Sequence, residues 1–417
     1  MEATYRQLEI NSRGERIDHY LTSNPEISFF KQDSRRYYPF ARNTRALNFD
    51  TVPNFGILST VKLSRYGDLV GSVNLEIDLP ELKGTSTIGY CNNVGHAIID
   101  YVEIEIGGNQ IVRLYGEWLH INREISNKYD QKITHRELTQ YYDTMTPGTF
   151  NGGKVIVPLT FWFTECSGLF LPHAAICRHD IIIRVKFHPL SRLWISEDNN
   201  PPIGNYNFGI TTLLVDYYVL DDHQKKMFAP IYNQEGKDEI ALYPPKLVYK
   251  IQQVQQLTLS IPAGQRKFKI DLDSINFSVG YLVWVLRRND VKTTNDWFNF
   301  TNVLTGQAKD PLVSAQLYIG EKERTDELSA KNLRLLEPYK NFGNASEDFI
   351  YCYFFNLYPG NKIQPSGSAN FTFLSDVNLV MNTIEGLPEM DVLLYAVNYN
   401  ILNVDKGQCW LQYLLSN

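Results

Sequence analysis

The most regular pattern in this chain is the alternation of apolar and polar residues that a half-buried β-strand requires. Residues 72–79 read SVNLEIDL and place valine, leucine and isoleucine on one face and polar side chains on the other. Residues 97–116 repeat the alternation, and Gly107-Gly108 interrupts it with a sequence suited to a tight turn. This second segment therefore predicts a β-hairpin.

Further runs rich in β-branched and aromatic residues predict strands along the whole chain. Two segments have the 3/4 spacing of an amphipathic helix instead, residues 116–127 and residues 326–337. Many short strands with few helices predict an all-β fold with a sandwich or barrel in each half. The remaining predicted strands cover residues 154–163, 180–187, 211–220, 246–261, 267–272, 281–288, 348–355, 369–374, 377–382 and 393–404.

The length of 417 residues favours two domains. Polar residues dominate the start of the chain, and a polar stretch that ends in Pro-Pro separates the two sets of strands. We therefore expect an N-terminal arm over 1–45, a first β domain over 46–222, a linker over 223–245 and a second β domain over 246–417.

The charge of the chain limits its partners. The net charge is −6, without the basic excess of a protein that holds nucleic acid, so direct nucleic-acid binding is disfavoured. The N-terminus has no apolar signal segment and no apolar run reaches the ~18–20 residues of a spanning helix, which predicts a cytoplasmic protein. A basic cluster in the arm is interpreted as solvated, with contact to lipid headgroups or a partner protein as the alternative. The cluster is Lys31, Arg35, Arg36, Arg42 and Arg45.

No residue pattern predicts an enzyme, a cofactor or a metal site. His173 and His179 lie near two cysteines, but their spacing matches no standard ligand set, and core or loop roles are expected. Glu103 and Glu105 share a strand face, as glycosidase carboxylates can, but surface-facing alternation explains them. The cysteines are odd in number and widely spaced, which argues against disulfides and zinc. They are Cys91, Cys166, Cys177, Cys352 and Cys409.

Four Asn-X-Ser/Thr sequences lie in the second half. Asn276, Asn299 and Asn344 are candidate glycosylation sites. Asn370 is expected to remain unmodified, because the sequence around it predicts a β-strand.

Five segments resemble one protein family, in the same order along the chain. Residues 93–121 (NVGHAIIDYVEIEIGGNQIVRLYGEWLHI) resemble the hallmark segment of the major capsid proteins of nucleocytoplasmic large DNA viruses, the group of the iridoviruses, phycodnaviruses, mimiviruses and marseilleviruses. Residues 404–417 depart from the family, because they lack its glycine-rich approach to the C-terminus. The other four segments are residues 20–41, 157–187, 216–229 and 365–382.

The resemblance implies a fold and a role. Family members consist of two consecutive eight-stranded jelly rolls, and three copies form a trimer with a pseudo-hexagonal outline. Trimers tile an icosahedral shell in the virion, assembled in the host cytoplasm, usually around an internal membrane. The resemblance thus implies contacts with neighbouring trimers, with minor capsid and penton proteins, and with the membrane through its proteins. The motif residues it assigns to structural roles are Asn24, Pro25, Gly95, His96, Gly107, Gly108, Tyr115, Gly116, Glu117, Trp118, Asn370 and Phe371.

Other interpretations stay open at this point. A minor capsid paralogue or an assembly scaffold would share the fold, and a carbohydrate-binding or glycan-active β-sandwich would share the composition. For a capsid protein, the aromatic-rich loops at residues 33–40 and 295–302 are expected to supply most of the trimer contacts.

Overall fold

The computed structural model describes residues 20–32, 34–232, 240–303, 307–320 and 322–414. The interpretations of arm residues 1–19, of Asp33 and of linker residues 233–239 concern positions outside the described residues. Residues 1–39 form one unit and residues 40–417 form a second unit. Everything described below as a barrel lies in the second unit.

The first half of the second unit is a barrel of two four-stranded antiparallel sheets. One sheet has the order β1-β10-β3-β7 and the other the order β2-β8-β5-β6, and β4 pairs with β9 outside them. These strands are β1 (Phe40–Asn48), β2 (Leu58–Lys62), β3 (Leu69–Leu79), β4 (Ile88–Tyr90), β5 (Ile99–Ile106), β6 (Asn109–Tyr115), β7 (Gly153–Pro158), β8 (Ile181–Phe187), β9 (Trp194–Ser196) and β10 (Thr212–Leu220).

Two short strands, β11 (Ile231–Tyr232) and β12 (Ile240–Leu242), pair with each other between the barrels. The second barrel repeats the strand order of the first, with sheets β13-β22-β15-β19 and β14-β21-β16-β17. Its strands are β13 (Leu247–Ile261), β14 (Lys267–Asp271), β15 (Ser278–Arg288), β16 (Leu312–Ile319), β17 (Lys322–Glu323), β18 (Leu328–Ser329), β19 (Tyr351–Phe354), β20 (Ala369–Asn370), β21 (Val377–Thr383), β22 (Met390–Asp405) and β23 (Gln408–Leu411).

In both barrels, each sheet interleaves strands from the beginning and the end of its half of the chain. The first strand of the barrel pairs with the last, and the second pairs with the last but one, apart from short accessory strands. This pairing is the jelly-roll arrangement of two packed antiparallel sheets. The fold class predicted from the sequence, two consecutive jelly rolls, is therefore confirmed.

Helices occupy the connections between strands. The predicted helix at 116–127 is confirmed, whereas the one at 326–337 is displaced, because Leu328–Ser329 pairs with β16 as a strand and the helical turns follow it. None of the described helices is long and apolar enough to cross a bilayer. The helices are α1 (Val94–Ala97), α2 (Gly116–Ser126), α3 (Tyr129–Thr139), α4 (Asp222–Phe228), α5 (Val291–Thr294) and α6 (Glu337–Phe342), with a π-helical turn at Asn332–Leu336 and 3₁₀ turns at Ser167–Leu169, Leu190–Arg192 and Phe371–Phe373.

Several strands differ from the sequence interpretation: the strand predicted over 154–163 ends at Pro158, and β2, β4 and β9 lie outside the predicted strands. Strand β1 begins at Phe40, inside the range expected for the arm, and pairs with β10 along its length. Strand β16 has no counterpart among the predicted strands. The predicted strand at 369–374 ends after Asn370, because the Asn370 side chain accepts a hydrogen bond from the backbone N–H of Thr372 and starts a 3₁₀ turn.

The two central strands of the sheet β13-β22-β15-β19, β22 and β15, are buried on both faces. In β15, Leu282, Trp284 and Leu286 belong to the apolar core inside the second barrel. The alternate residues Tyr281, Val283 and Val285 join a core that is continuous with the first barrel. A strand that is buried on both faces cannot show polar alternation, which explains the unbroken apolar run YLVWVL at 281–286.

Gly116 offers a direct test of the close packing of α2 against α1 and β5 in the first barrel. A Cβ atom at this position would lie 2.3 Å from the carbonyl oxygens of both His96 and Ile99, which are backbone atoms that cannot rotate away. We expect Gly116→Ala to lower the free energy of unfolding by at least about 2 kcal/mol, measured by urea denaturation. Gly360→Ala is the matched control, because a Cβ there would meet only one atom, at 4.0 Å. Equal stability of the two variants would contradict this packing.

Candidate functional site

The candidate site lies where the two barrels meet, at an interface termed here the seam. It contains an ion pair, buried histidines and bonded amide side chains. Helix α2, in the connection between β6 and β7, packs against the face of sheet β13-β22-β15-β19 that points away from the second barrel's interior. Trp118 lies on this helix, and its ring centroid is 5.1 Å from that of Tyr395 on β22. Both side chains are buried, so this aromatic pair is the apolar centre of the seam.

An ion pair lies beside this aromatic pair. Arg287, at the end of β15, donates a hydrogen bond to Glu117 over 3.0 Å, and both side chains are largely buried. Burial alone would raise the pKa of the Glu117 carboxyl, but the charge of Arg287, the hydrogen bonds that the carboxylate accepts and the charge of Arg192 together outweigh burial and lower this pKa. The guanidinium carbons of Arg192 and Arg287 lie 3.8 and 5.3 Å from the ring centroid of Trp297, which joins the barrels through cation–π contacts.

The aromatic side chains of the 295–302 loop are buried within the chain itself. Trp297 is 6% exposed, Phe298 6% and Phe300 1%. The expectation that this loop supplies contacts between subunits is therefore wrong for its aromatic residues. They pack into the seam because the loop carries them back onto α2 and α1.

Three buried histidines form a cluster, termed here the histidine cluster: His96 on α1, His120 on α2 and His135 on α3. The ring centroid of His96 is 5.0 Å from that of His135 and 5.9 Å from that of His120. Asn93 connects two of the rings, since its side chain contacts Nδ1 of His96 at 2.7 Å and Nδ1 of His120 at 3.0 Å. The second barrel reaches the cluster through Asp348, whose carboxylate is 3.0 Å from Nε2 of His120.

Charged groups surround the histidine cluster. Glu124, which is buried, lies 3.5 Å from the Lys132 ammonium and 3.4 Å from the Arg136 guanidinium. Burial and the nearby charge of Arg123 lower the pKa of His135 to about 3, and burial lowers that of His96 as well. Burial raises the pKa of Asp348, but hydrogen bonding to His120 and nearby positive charge outweigh it, so this carboxylate remains ionised.

One part of this cluster resembles a metal-binding site. Donor atoms of His120, Glu124 and Asp348 all lie within 4.8 Å of one another, the only such group among the described residues. Two cations, Lys132 and Arg136, already neutralise Glu124, and a divalent ion would add charge beside them. The arrangement therefore fits an ion-pair network better than a metal site.

A second, polar part of the seam lies along β13 and β22, where amide side chains bond to one another. Gln253 accepts a hydrogen bond from Asn400 over 2.8 Å, and Gln255 donates one to Asn398 over 3.0 Å. Gln253 also donates to the carbonyl oxygen of Ile111 on β6 and so ties this network to the first barrel. Asn398 and Asn400 are almost fully buried, so these hydrogen bonds are needed to offset their desolvation.

The structure brings about half of the motif residues to the seam. Gly95 and His96 lie on α1, and Tyr115, Gly116, Glu117 and Trp118 lie where β6 meets α2. Gly107 and Gly108 form the β5–β6 turn, with φ of +60° and +83°, which glycine adopts without strain. Phe371 is buried in the second barrel beside the exposed Asn370, and Asn24 and Pro25 are exposed in the N-terminal unit.

Glu103 and Glu105 are not the simple surface carboxylates that their alternation predicts. Glu103 is 4% exposed, accepts hydrogen bonds from Arg113 at 2.7 and 2.9 Å, and lies 3.4 Å from Arg184. Glu105 pairs with Arg184 as well. The interpretation of both as solvent-facing is therefore wrong, because the two neighbouring strands, β6 and β8, supply arginines that cover them.

The candidate glycosylation sites differ in their surroundings. The side-chain nitrogen of Asn344 donates to the carbonyl oxygen of Asn127 over 2.7 Å, and the Ser346 hydroxyl of the same sequon is buried. Asn299 donates to Asp296 over 2.9 Å. Asn276 is half-buried before β15 and donates to the carbonyl oxygen of Ser274. All three amides are thus engaged within the folded chain.

Sequence reasoning missed several residues of the seam. Arg287 could have been found, because an arginine directly after six apolar residues needs a buried partner. His120 and His135 carry no such local signal. Their proximity arises only when α2 and α3 fold back against α1. Asp348 and Tyr395 come from the other barrel, more than 200 residues away along the chain.

Two consecutive jelly rolls joined through one shared sheet define a double jelly-roll protein. Family models agree with this class: residues 28–221 match the model described as major capsid protein N-terminus. Residues 245–409 match the model described as large eukaryotic DNA virus major capsid protein. The chain belongs to the major capsid protein family of large eukaryotic DNA viruses.

Individual relatives span nearly the whole chain. The major capsid protein of Pyramimonas orientalis virus is 27% identical over 95% of this chain and 96% of its own length. A quasi-atomic model of the PBCV-1 virus capsid superposes with a TM-score of 0.78 at 21% identity, over 93% of this chain and 100% of that one. The Faustovirus major capsid protein superposes with a TM-score of 0.73 at 10% identity, over 94% of each chain.

The Glu117–Arg287 pair provides a test of the seam. Removing one partner leaves a buried charge unpaired, so Glu117→Gln and Arg287→Met should each lower the free energy of unfolding by about 3–5 kcal/mol. The double variant should lose clearly less than the sum of the two, as measured in a double-mutant cycle by urea denaturation.

The control is the exposed pair Arg266 and Glu385, whose side chains are 64% and 81% exposed. Arg266→Met and Glu385→Gln should leave stability nearly unchanged, because water screens such a pair. Additive losses at Glu117 and Arg287 would refute the idea that the two charges depend on each other.

Proposed function

We propose that this chain is the subunit of a homotrimeric capsomer with a pseudo-hexagonal outline, and that such capsomers tile an icosahedral viral shell. The observation that carries the proposal is that each chain contains two barrels of the same strand order joined into one unit. Three copies would present six similar barrels around a threefold axis. A subunit with a single barrel would need six copies for the same outline.

The two barrels point the same way, which such a capsomer requires. The connection between β6 and β7 of the first barrel meets the equivalent connection of the second, where Asn344 bonds to Asn127 and Lys132 donates to the carbonyl oxygen of Ala345. At the opposite end, Ile363 lies within contact distance of Gly168, and both belong to equivalent connections. Equivalent loops therefore lie together at both ends.

We propose further that the domains divide near the boundaries expected from the sequence. The exception is the start of the first barrel, which we place at Phe40, the first paired residue of β1, rather than at residue 46. The motif glycines would act structurally by allowing the tight turn and the close backbone contacts described above. Trp118 would act structurally by packing against Tyr395 at the centre of the seam. The chain would have no enzymatic role, and its partners would be neighbouring trimers, minor capsid and penton proteins and, through its proteins, an internal membrane. Assembly would take place in the host cytoplasm. The three candidate sequons would remain unmodified in the folded chain, because their amides are engaged.

Subunit contacts would use aromatic side chains near the start of the first barrel. Tyr37 is 82% exposed, Tyr38 54% and Phe40 57%, a concentration of apolar area that a solitary protein rarely leaves in water. These residues belong to the 33–40 segment that the sequence analysis singled out. Interfaces of permanent oligomers are enriched in such aromatic residues.

The proposal predicts that Tyr37→Ser combined with Tyr38→Ser weakens the trimer and leaves the subunit folded. Size-exclusion chromatography with light scattering should show a trimer for the unmodified protein and mainly monomer for the variant, with unchanged circular dichroism. Negative-stain images of the unmodified protein should show threefold particles with a hexagonal outline.

Phe373→Ser combined with Tyr339→Ser is the matched control, because these aromatic residues are also exposed, 86% and 66%, but lie elsewhere. Trimers that persist in the Tyr37/Tyr38 variant would remove these tyrosines from the interface. An unmodified protein that remains monomeric at all concentrations would contradict the capsomer itself.

A further inference from the structure

The histidine cluster has a property that its role in packing does not require. Nε2 of His96 and Nε2 of His135 are buried, and neither has a hydrogen-bond partner among the described residues. The two rings stack on each other, and His96 also lies against Phe298 of the second barrel, with 6.4 Å between the ring centroids. A neutral imidazole can leave this nitrogen unbonded at modest cost, whereas an imidazolium must donate from it.

The carboxylates near the cluster are paired with other groups, and none is hydrogen-bonded to Nε2 of His96 or of His135. Glu124 is engaged by Lys132 and Arg136, Asp348 by His120 and Tyr141, and Glu165 by Arg123. Glu347 and Asp143 pair with Arg136 at the exposed edge. The titratable and charged groups around His96 and His135 are His120, Arg123, Glu124, Lys132, Arg136, Tyr141, Asp143, Glu165, Glu347 and Asp348.

We infer that His96 and His135 form a proton-operated latch, which holds α1, α2 and α3 against the second barrel at neutral pH and releases them in acid. An imidazolium in this site would be a buried, unbonded charge beside Arg123. The protein can relieve this cost only by opening the seam and admitting water. The biological role of this latch rests on the proposed function, because an acid-labile seam would loosen a capsomer in an acidic compartment.

The pH window follows from linkage. Both histidines have lowered pKa values in the closed state, so the open state binds protons more readily and acid favours opening. The stability that they contribute is fully present above the ordinary histidine pKa of about 6.5 and is lost as the pH falls toward the folded value. The lowered pKa of Asp348 acts in a separate window, because its contribution is lost only below about pH 4.

Hydrogen–deuterium exchange of the full chain tests the latch. For His135 alone, a shift from 6.5 to about 3 raises the open population about 30-fold between pH 7.5 and pH 5.0. Exchange in peptides covering α1, α2, α3 and residues 344–350, corrected for the intrinsic rate, should rise by at least about that factor. Peptides from the second barrel's interior strands β14 and β21 should change far less.

The variant His96→Asn/His135→Phe should abolish most of the rise, because it removes both titrating rings, while asparagine can keep the bond to Asn93 and phenylalanine keeps an aromatic ring at position 135. His223→Gln replaces an exposed histidine and should leave the rise intact. His173 and His188 also have lowered pKa values. Both variants retain these two histidines, so any opening in acid that they cause is the same in every sample. If the double variant does not fold, the unmodified protein still decides: a rise below 3-fold in the seam peptides overturns the latch.

The oligomeric state, measured in the same samples, separates the two proposals. A trimer at pH 7.5 whose seam peptides exchange equally at pH 5.0 would refute the latch and leave the capsomer standing. A monomer at pH 7.5 whose seam peptides open at pH 5.0 would refute the capsomer and leave the latch standing. A rise that persists unchanged in the double variant would also overturn the latch.

Discussion

The structure depends on a single sheet whose central strands, β22 and β15, are buried on both faces. Sheet β13-β22-β15-β19 closes the second barrel with one face and carries the first barrel on the other. Burial of a few hundred Å² of apolar surface at ~25 cal/mol per Å² is ample to hold two small domains together. The two barrels therefore cannot move independently of each other.

Polar groups within the seam give it specificity at a cost in stability. The Glu117–Arg287 pair, the histidine cluster and the Asn/Gln network all lie where apolar residues would also fit. Buried ion pairs are often no more stabilising than apolar side chains of the same size. The polar groups of the seam instead destabilise every other arrangement of the two barrels, because a misplaced barrel would leave these groups unpaired.

Much of the fold could be predicted from the sequence, because it depends on local patterns. Period-two alternation marks strands such as β3 and β5, and the glycine pair marks the hairpin between β5 and β6. The seam could not be predicted in the same way. The unbroken apolar run in β15 indicates burial without saying against what, and the partners of His120 and Arg287 lie on the other barrel. The burial of Glu103 likewise depends on arginines from two neighbouring strands.

The amide network between β13 and β22 bears on how these long strands find their alignment. Leucine, valine and isoleucine are nearly interchangeable in a pleated sheet, so a slip of two residues would preserve the apolar faces of both strands. A slip that set Gln253 opposite Ala396 instead of Asn398 would separate Gln253 from Asn400 and Gln255 from Asn398, so these buried amides would lose hydrogen bonds. The amide side chains thus oppose one of the two slips that hydrophobicity alone would allow in this 15-residue ladder.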